Sequence, residues 1–176
     1  MSRPKMKSFL QGLNADEASQ VLRVLLEDSP DLLKKAYDIA IKVVGDVDAD
    51  KISNDVFCEL DSLDVDALSS RSGRTRYGYV DPADVSWEMF EEALDPFIHE
   101  MKKNQQRAQP AVAKAYCIGI IKGLRAYEEG ASSEFADWVT DAPGEYIDTV
   151  VEEWKKGDPS GADIADVMSV VKGGKS

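Results

Sequence analysis

Arg71, Arg74 and Arg76 stand beside Tyr77 and Tyr79 in the run Ser-Ser-Arg-Ser-Gly-Arg-Thr-Arg-Tyr-Gly-Tyr-Val-Asp, which spans residues 69–81. Guanidinium groups offer planar, forked donors to carboxylates and phosphates, and phenol rings offer faces on which bases or guanidiniums stack. This is the one segment whose composition opposes its surroundings. Residues 48–68 hold seven acids and one base, and residues 81–100 hold seven acids and no lysine or arginine. Two uses of the arginines follow. They can fold back onto the acidic residues of 48–68, or they can meet a partner, for which an acidic protein surface suits the chain's charge better than nucleic acid.

The remaining reactive side chains are sparse. Asp46, Asp48 and Asp50 alternate as at the start of a calcium-binding loop, but Lys51 stands where that loop needs glycine and Phe57 where it needs the bidentate glutamate. The triplet therefore reads as a helix-capping turn, and no metal is expected. Glu88, Glu91, Glu92, Asp95 and Glu100 share one segment with His99, the only histidine. A di-metal carboxylate centre draws Glu-x-x-His pairs from two helices, and this chain has none. An acidic solvent face is the simpler reading, with a carboxylate-lined site using Glu88, Glu92, Asp95, Tyr79 and His99 as the enzymatic rival. Cys58 and Cys117 both fall in apolar stretches, where a thiol packs as a small hydrophobe, and the acids around Cys58 disfavour a thiolate. No phosphate-cradling glycine loop, nucleophile elbow or triad pattern occurs. No cofactor is expected.

Six cations, Lys102, Lys103, Arg107, Lys114, Lys122 and Arg125, follow the acidic run with no acid among them. Such a block forms local ion pairs on a solvated face, or joins copies of the chain head to tail. Together with the arginine loop it is also the surface a nucleic-acid accessory protein would use. Across 176 residues, 33 acids against 21 bases give a net charge of −12, which opposes general attraction to nucleic acid and to anionic membranes. Two cysteines exclude a disulfide framework and, with one histidine, a Cys/His zinc site. No apolar run reaches 18 residues and the basic start leads into no signal core, so the expectation is a cytoplasmic chain without a membrane partner.

The elements that hold these residues read as helices. Ala18, Val21, Leu22, Leu25 and Leu26 fall at i, i+3, i+4, i+7 and i+8. Pro30 and Asp31 open a second helix that ends near Gly45, making a hairpin with the first. Asp50 or a neighbouring aspartate caps a third, with Ile52, Val56, Leu60 and Leu63 inside. Residues 69–81 read as the longest loop and the clearest divide. Asp81-Pro82 then caps a helix that Pro96 should break or kink. From Pro110 to about Glu128 the apolar face is wide enough for a central helix, and Ala115, Gly119 and Gly123 form a small-residue line that lets a neighbour approach closely. Shorter helices follow around Trp138, from Pro143, and around Val167. Gly45-Asp46 and Gly157-Asp158 each precede an isoleucine at the same offset, Ile52 and Ile164, a faint echo of paired helices. No segment alternates strictly enough to predict a sheet. The expected fold is all-α, eight or nine helices in antiparallel hairpins, as an irregular bundle or a short α-solenoid. It forms a single domain over 1–176, with a possible subdivision at 69–81 and flexible ends at 1–14 and 173–176.

The run Leu25-Leu26-Glu27-Asp28-Ser29-Pro30-Asp31-Leu32-Leu33, the later Tyr79-Val80-Asp81, the acidic aromatic helix beyond it and the apolar helix at 110–128 resemble the α-helical region that accompanies SWIM zinc-finger proteins. The resemblance covers about residues 20–156. The finger is missing, since no Cys-x-Cys or Cys-x-His occurs, so zinc and finger-borne DNA binding do not carry over. What the resemblance implies is a helical scaffold for protein contacts. The expectation is therefore a non-enzymatic interaction module that binds a protein partner or forms a homo-oligomer through the loop at 71–79.

Overall fold

A computed structural model describes residues 3–44, 47–76 and 78–173. Gly45, Asp46, Tyr77 and the terminal residues 1–2 and 174–176 lie outside the described residues. The contacts divide the chain into Met1–Gly45 and Asp46–Ser176.

The first unit holds α1 (Arg3–Gln11), α2 (Ala15–Asp28) and α3 (Pro30–Val44). Asn14 caps α2 reciprocally: its Oδ1 accepts from Glu17 N at 2.9 Å, and its own N donates to Glu17 Oε2 at 3.0 Å. This capping box satisfies two of the amides that a helix start leaves unpaired. Ser29 alone separates α2 from α3, and the two helices contact each other. Among the described residues 4–40 none is buried, and only Leu13, Leu26, Ser29 and Ala36 are partly so.

The second unit contains α4 (Ala49–Asp61), α5 (Val65–Arg71), β1 (Gly73–Thr75), β2 (Gly78–Val80), α6 (Pro82–Gln106), α7 (Pro110–Gly130), a 3₁₀ turn at Glu134–Trp138, α8 (Ala142–Lys155) and α9 (Gly161–Gly173). The fold is all-α with one short hairpin. Helix α7 is central, contacting α4, α6, α8 and α9. Its Cys117, Ile120, Ile121 and Leu124 are wholly buried. Because α4 reaches α7 across some fifty residues of intervening chain, the arrangement is a bundle around one helix rather than a stack in which each pair meets only its neighbours. The small-residue line does its expected work. A Cβ on Gly119 would stand 2.6 Å from Ile52 Cβ, and one on Gly123 would stand 2.6 Å from Val56 Cβ, so α4 lies nearly backbone to backbone on α7. Phe90 of α6 caps this core with Tyr127 and Tyr146, ring centres 5.7 and 5.5 Å away.

Three expectations are corrected. The segment 69–81 is not a loop: α5 extends to Arg71, and β1 and β2 pair antiparallel with Gly73 opposite Val80, Arg74 opposite Tyr79 and Thr75 opposite Gly78. Three-residue strands are too short to show a two-residue period, and Gly73 and Gly78, the first residues of the two strands, take positive φ (86° and 136°), a conformation open to glycine. Pro96 does not break α6, which runs unbroken for 25 residues. Pro96 and Glu92 sit on the exposed side, where water serves the carbonyl that loses its amide partner, while Ala93, Leu94 and Ile98 anchor the buried side. The cap of α4 is the neighbouring aspartate, Asp48, as the pattern allowed: its Oδ1 accepts from Asp50 N at 2.9 Å. Finally, Cys58 is exposed rather than buried, because Ile52, Val56 and Leu60 face the core and position 58 falls off that stripe.

Candidate functional site

The five candidate residues part company in the structure. Arg71, the last residue of α5, turns to α6: its Nη1 donates to Glu92 Oε2 at 2.7 Å and its Nη2 to Glu92 Oε1 at 3.0 Å, with Glu88 Oε2 3.5 Å away. The arginine thus folds back, but onto the acids of 81–100 and not onto those of 48–68. The forked hydrogen bond lowers the Glu92 carboxyl below its ordinary range and raises the Arg71 guanidinium. Arg71 is thereby a clamp fixing the base of the hairpin to α6.

Beyond the clamp, Arg74 and Tyr79 form a cross-strand pair. Directly opposed residues project from the same face of a ribbon, with Cβ atoms about 5 Å apart. Tyr79 is 72% exposed, and Arg74 and Arg76 are exposed as well, neither holding an ion pair among the described residues. Two guanidiniums and one phenol therefore stand at the surface of a ribbon whose root is tied down. Tyr77, the fifth candidate, lies outside the described residues.

The other constellations resolve into ordinary surface chemistry. Asp50 accepts a 2.6 Å ion pair from Lys122 while Asp48 caps α4; Asp46, the first of that triplet, is outside the described residues. Glu88 and Glu92 are engaged with Arg71, and Asp95 and His99 are exposed on α6. Among the described residues no three of His, Cys, Asp and Glu gather as a metal site.

Five members of the basic block at 102–125 are paired within the unit. Lys102 meets Glu153 at 3.1 Å, Lys103 meets Glu100 at 2.5 Å, and Arg125 meets Glu128 at 3.1 Å. Lys114 bridges Asp163 (2.8 Å) and Asp166 (2.5 Å), which raises the ammonium and lowers Asp163. With Lys122 on Asp50, little of this block is left to present a continuous cationic face.

Burial pushes the Cys117 thiol up to about 12, so it is inert at neutral pH. Sequence reasoning missed one polar centre. Asp61, at the end of α4, accepts from Ser132 N and Ser132 Oγ, both at 2.7 Å, and from Ser133 N at 3.1 Å. The Ser132 hydroxyl, then the two amides, hold this carboxyl below its ordinary value. A Ser-Ser pair just beyond a glycine was the available signal, but its partner lies seventy residues earlier. The role is structural: Asp61 ties α4 to the turn after α7.

No protein-family model, curated protein or solved structure matches this chain. The functional reading therefore stands on the geometry of its own residues.

Proposed function

We propose that the chain is a non-enzymatic helical interaction module that binds a protein partner, or a further copy of itself, through the hairpin at 73–80. The observation that carries this reading is the exposed cross-strand pair of Arg74 and Tyr79, joined by Arg76, on a ribbon that Arg71 pins to α6. Pre-positioned arginine and tyrosine side chains lose little conformational freedom on docking, and both types are enriched where interfaces draw their binding energy. Arg74 and Arg76 suit carboxylates on the partner; Tyr79 supplies apolar area with a polar tip. A net charge of −12 disfavours a polyanionic nucleic acid.

The test is the double substitution Arg74→Glu and Arg76→Glu in the full chain. Proteins that co-purify with the unaltered chain, identified by mass spectrometry, are expected to fall away from the variant at least tenfold. An unchanged set of companions together with an unchanged oligomeric state would remove the hairpin from the reading. Fluorescence anisotropy with a single-stranded oligonucleotide at low salt is expected to show no binding. Binding that weakens steeply with salt and disappears in the variant would move the assignment to nucleic acid.

A further inference from the structure

The first unit, Met1–Gly45, has the amphipathic pattern of a bundle and none of its burial. On α2, Val21, Leu22 and Leu25 share one face at i, i+1 and i+4, and on α3 Leu33 and Tyr37 stand at i and i+4 with Leu32 beside Leu33, a wider arc. Each of these six is 38–58% exposed. On α1, Phe9 is 66% exposed. A helix stripe of this kind is stable only when covered, and isolated helices shorter than about 15 residues are marginal in water.

Three observations select what covers it. The first is apolar complementarity. In residues 47–173 the only large apolar side chains exposed among the described residues are Tyr79 and Trp138, so the exposed large apolar side chains described concentrate in the first unit. The second is charge. Residues 1–45 hold seven Lys/Arg and six Asp/Glu, a net +1, whereas the remaining residues hold fourteen against twenty-seven, a net −13. Two copies meet through the first unit without electrostatic opposition, and through the second only against it. The third is area. Eight large apolar side chains of α2 and α3 are about half exposed. At roughly 150 Å² for each side chain they offer roughly 600 Å² per copy, the lower end of what a stable interface takes from each partner.

We infer that the first unit is a self-association element, in which α2 and α3 of one copy pack against α2 and α3 of a second as a four-helix bundle. The pairing is isologous, the same stripe serving both copies, and folding of these helices is coupled to it. This inference rests on residues 6–39 alone. Its test leaves Arg74, Arg76 and Tyr79 unchanged, so it and the hairpin reading fail independently.

The experiment is sedimentation velocity on the full chain from 1 to 100 µM, beside Leu25→Asp/Leu33→Asp and Gln20→Asp variants. The unaltered chain is expected at twice the monomer mass at tens of micromolar, with helical circular dichroism that rises with concentration. Leu25→Asp/Leu33→Asp is expected to sediment as a monomer, its dissociation constant raised at least 100-fold. Gln20→Asp, on the polar face of α2, is expected to keep the doubled mass. All three tryptophans, Trp87, Trp138 and Trp154, lie in the second unit. Their unchanged emission would verify that the variants disturb only the first. An unaltered chain that stays monomeric at 100 µM overturns the inference, whether or not it then binds phosphatidylserine vesicles, an outcome that would assign the stripes to a membrane surface. A dimer that survives Leu25→Asp/Leu33→Asp overturns it equally.

Discussion

Gly119 of α7 and Ile52 of α4 approach so closely that a Cβ on the glycine would lie 2.6 Å from Ile52 Cβ and 2.8 Å from the carbonyl oxygen of Ala49. One of those neighbours is backbone and cannot rotate away. Exchanging glycine for alanine in a helix ordinarily gains about 1 kcal/mol. Here overpacking opposes that gain, and Gly119→Ala is expected to destabilise the second unit by a net of about 1–3 kcal/mol. Gly123→Ala, against Val56 Cβ and Ser53 O, is expected to behave alike. Urea denaturation followed by tryptophan emission measures both, and a stabilised Gly119→Ala would show that α4 slides away at no cost.

Ala108 carries the opposite expectation. It adopts φ 53° just beyond α6, while Gln109 N donates to Asn104 O at 2.9 Å, closing the helix end with a left-handed residue. A side-chain-bearing residue is strained there and glycine is not. Ala108→Gly is expected to raise stability by about 0.5–1 kcal/mol and Ala108→Val to lower it. Thermal melts of the three proteins rank them.

Asp61 makes the fold sensitive to acid. Its carboxyl is held below the ordinary value of 3.8, chiefly by the Ser132 hydroxyl, so its contribution is complete above about pH 4 and is lost as pH falls through the lowered value. Asp61→Ala is expected to cost about 1–2 kcal/mol at pH 7. The gap between the variant and the unaltered protein should narrow below pH 4. Denaturation midpoints from pH 2.5 to 7 give the comparison, and a gap constant over that range would contradict the assignment.

The two thiols should separate by rate. Cys58 is exposed and Cys117 is wholly buried, its thiol pushed up to about 12. A thiol-disulfide reagent at pH 8 is expected to label one cysteine within minutes and the second only on denaturation. Cys58→Ser should remove the fast phase alone. A fast phase that persists in that variant would show that Cys117 is reached through local opening of α7.

Much of the architecture was legible because it depends on local period and local caps. The stripes of α2 and α3, the Asp81-Pro82 start of α6 and the small-residue face of α7 each reside within a few turns of chain. The failures share a physical cause. Whether Pro96 breaks α6 depends on which side of the helix faces water, and whether Cys58 is buried depends on a difference of two positions from the core stripe. The hairpin was hidden because glycine and serine mark a tight return as readily as a loop. At the candidate site the composition of 71–79 was visible, but the separation of Arg71 from Arg74 and Arg76 was not. That division is made by Glu92, twenty-one residues away and on another helix.

Ser29, the lone residue between α2 and α3, leaves no slack in the joint. Each residue added to or removed from a helix turns everything beyond it by about 100°. A single residue inserted within α2 or α3 would rotate the part of its stripe beyond that point by more than a quarter turn while leaving its composition untouched. The angular phase of each stripe is thus written into an unbroken count of residues within its own helix, so there a change of spacing disturbs the stripe more than a change of side chain.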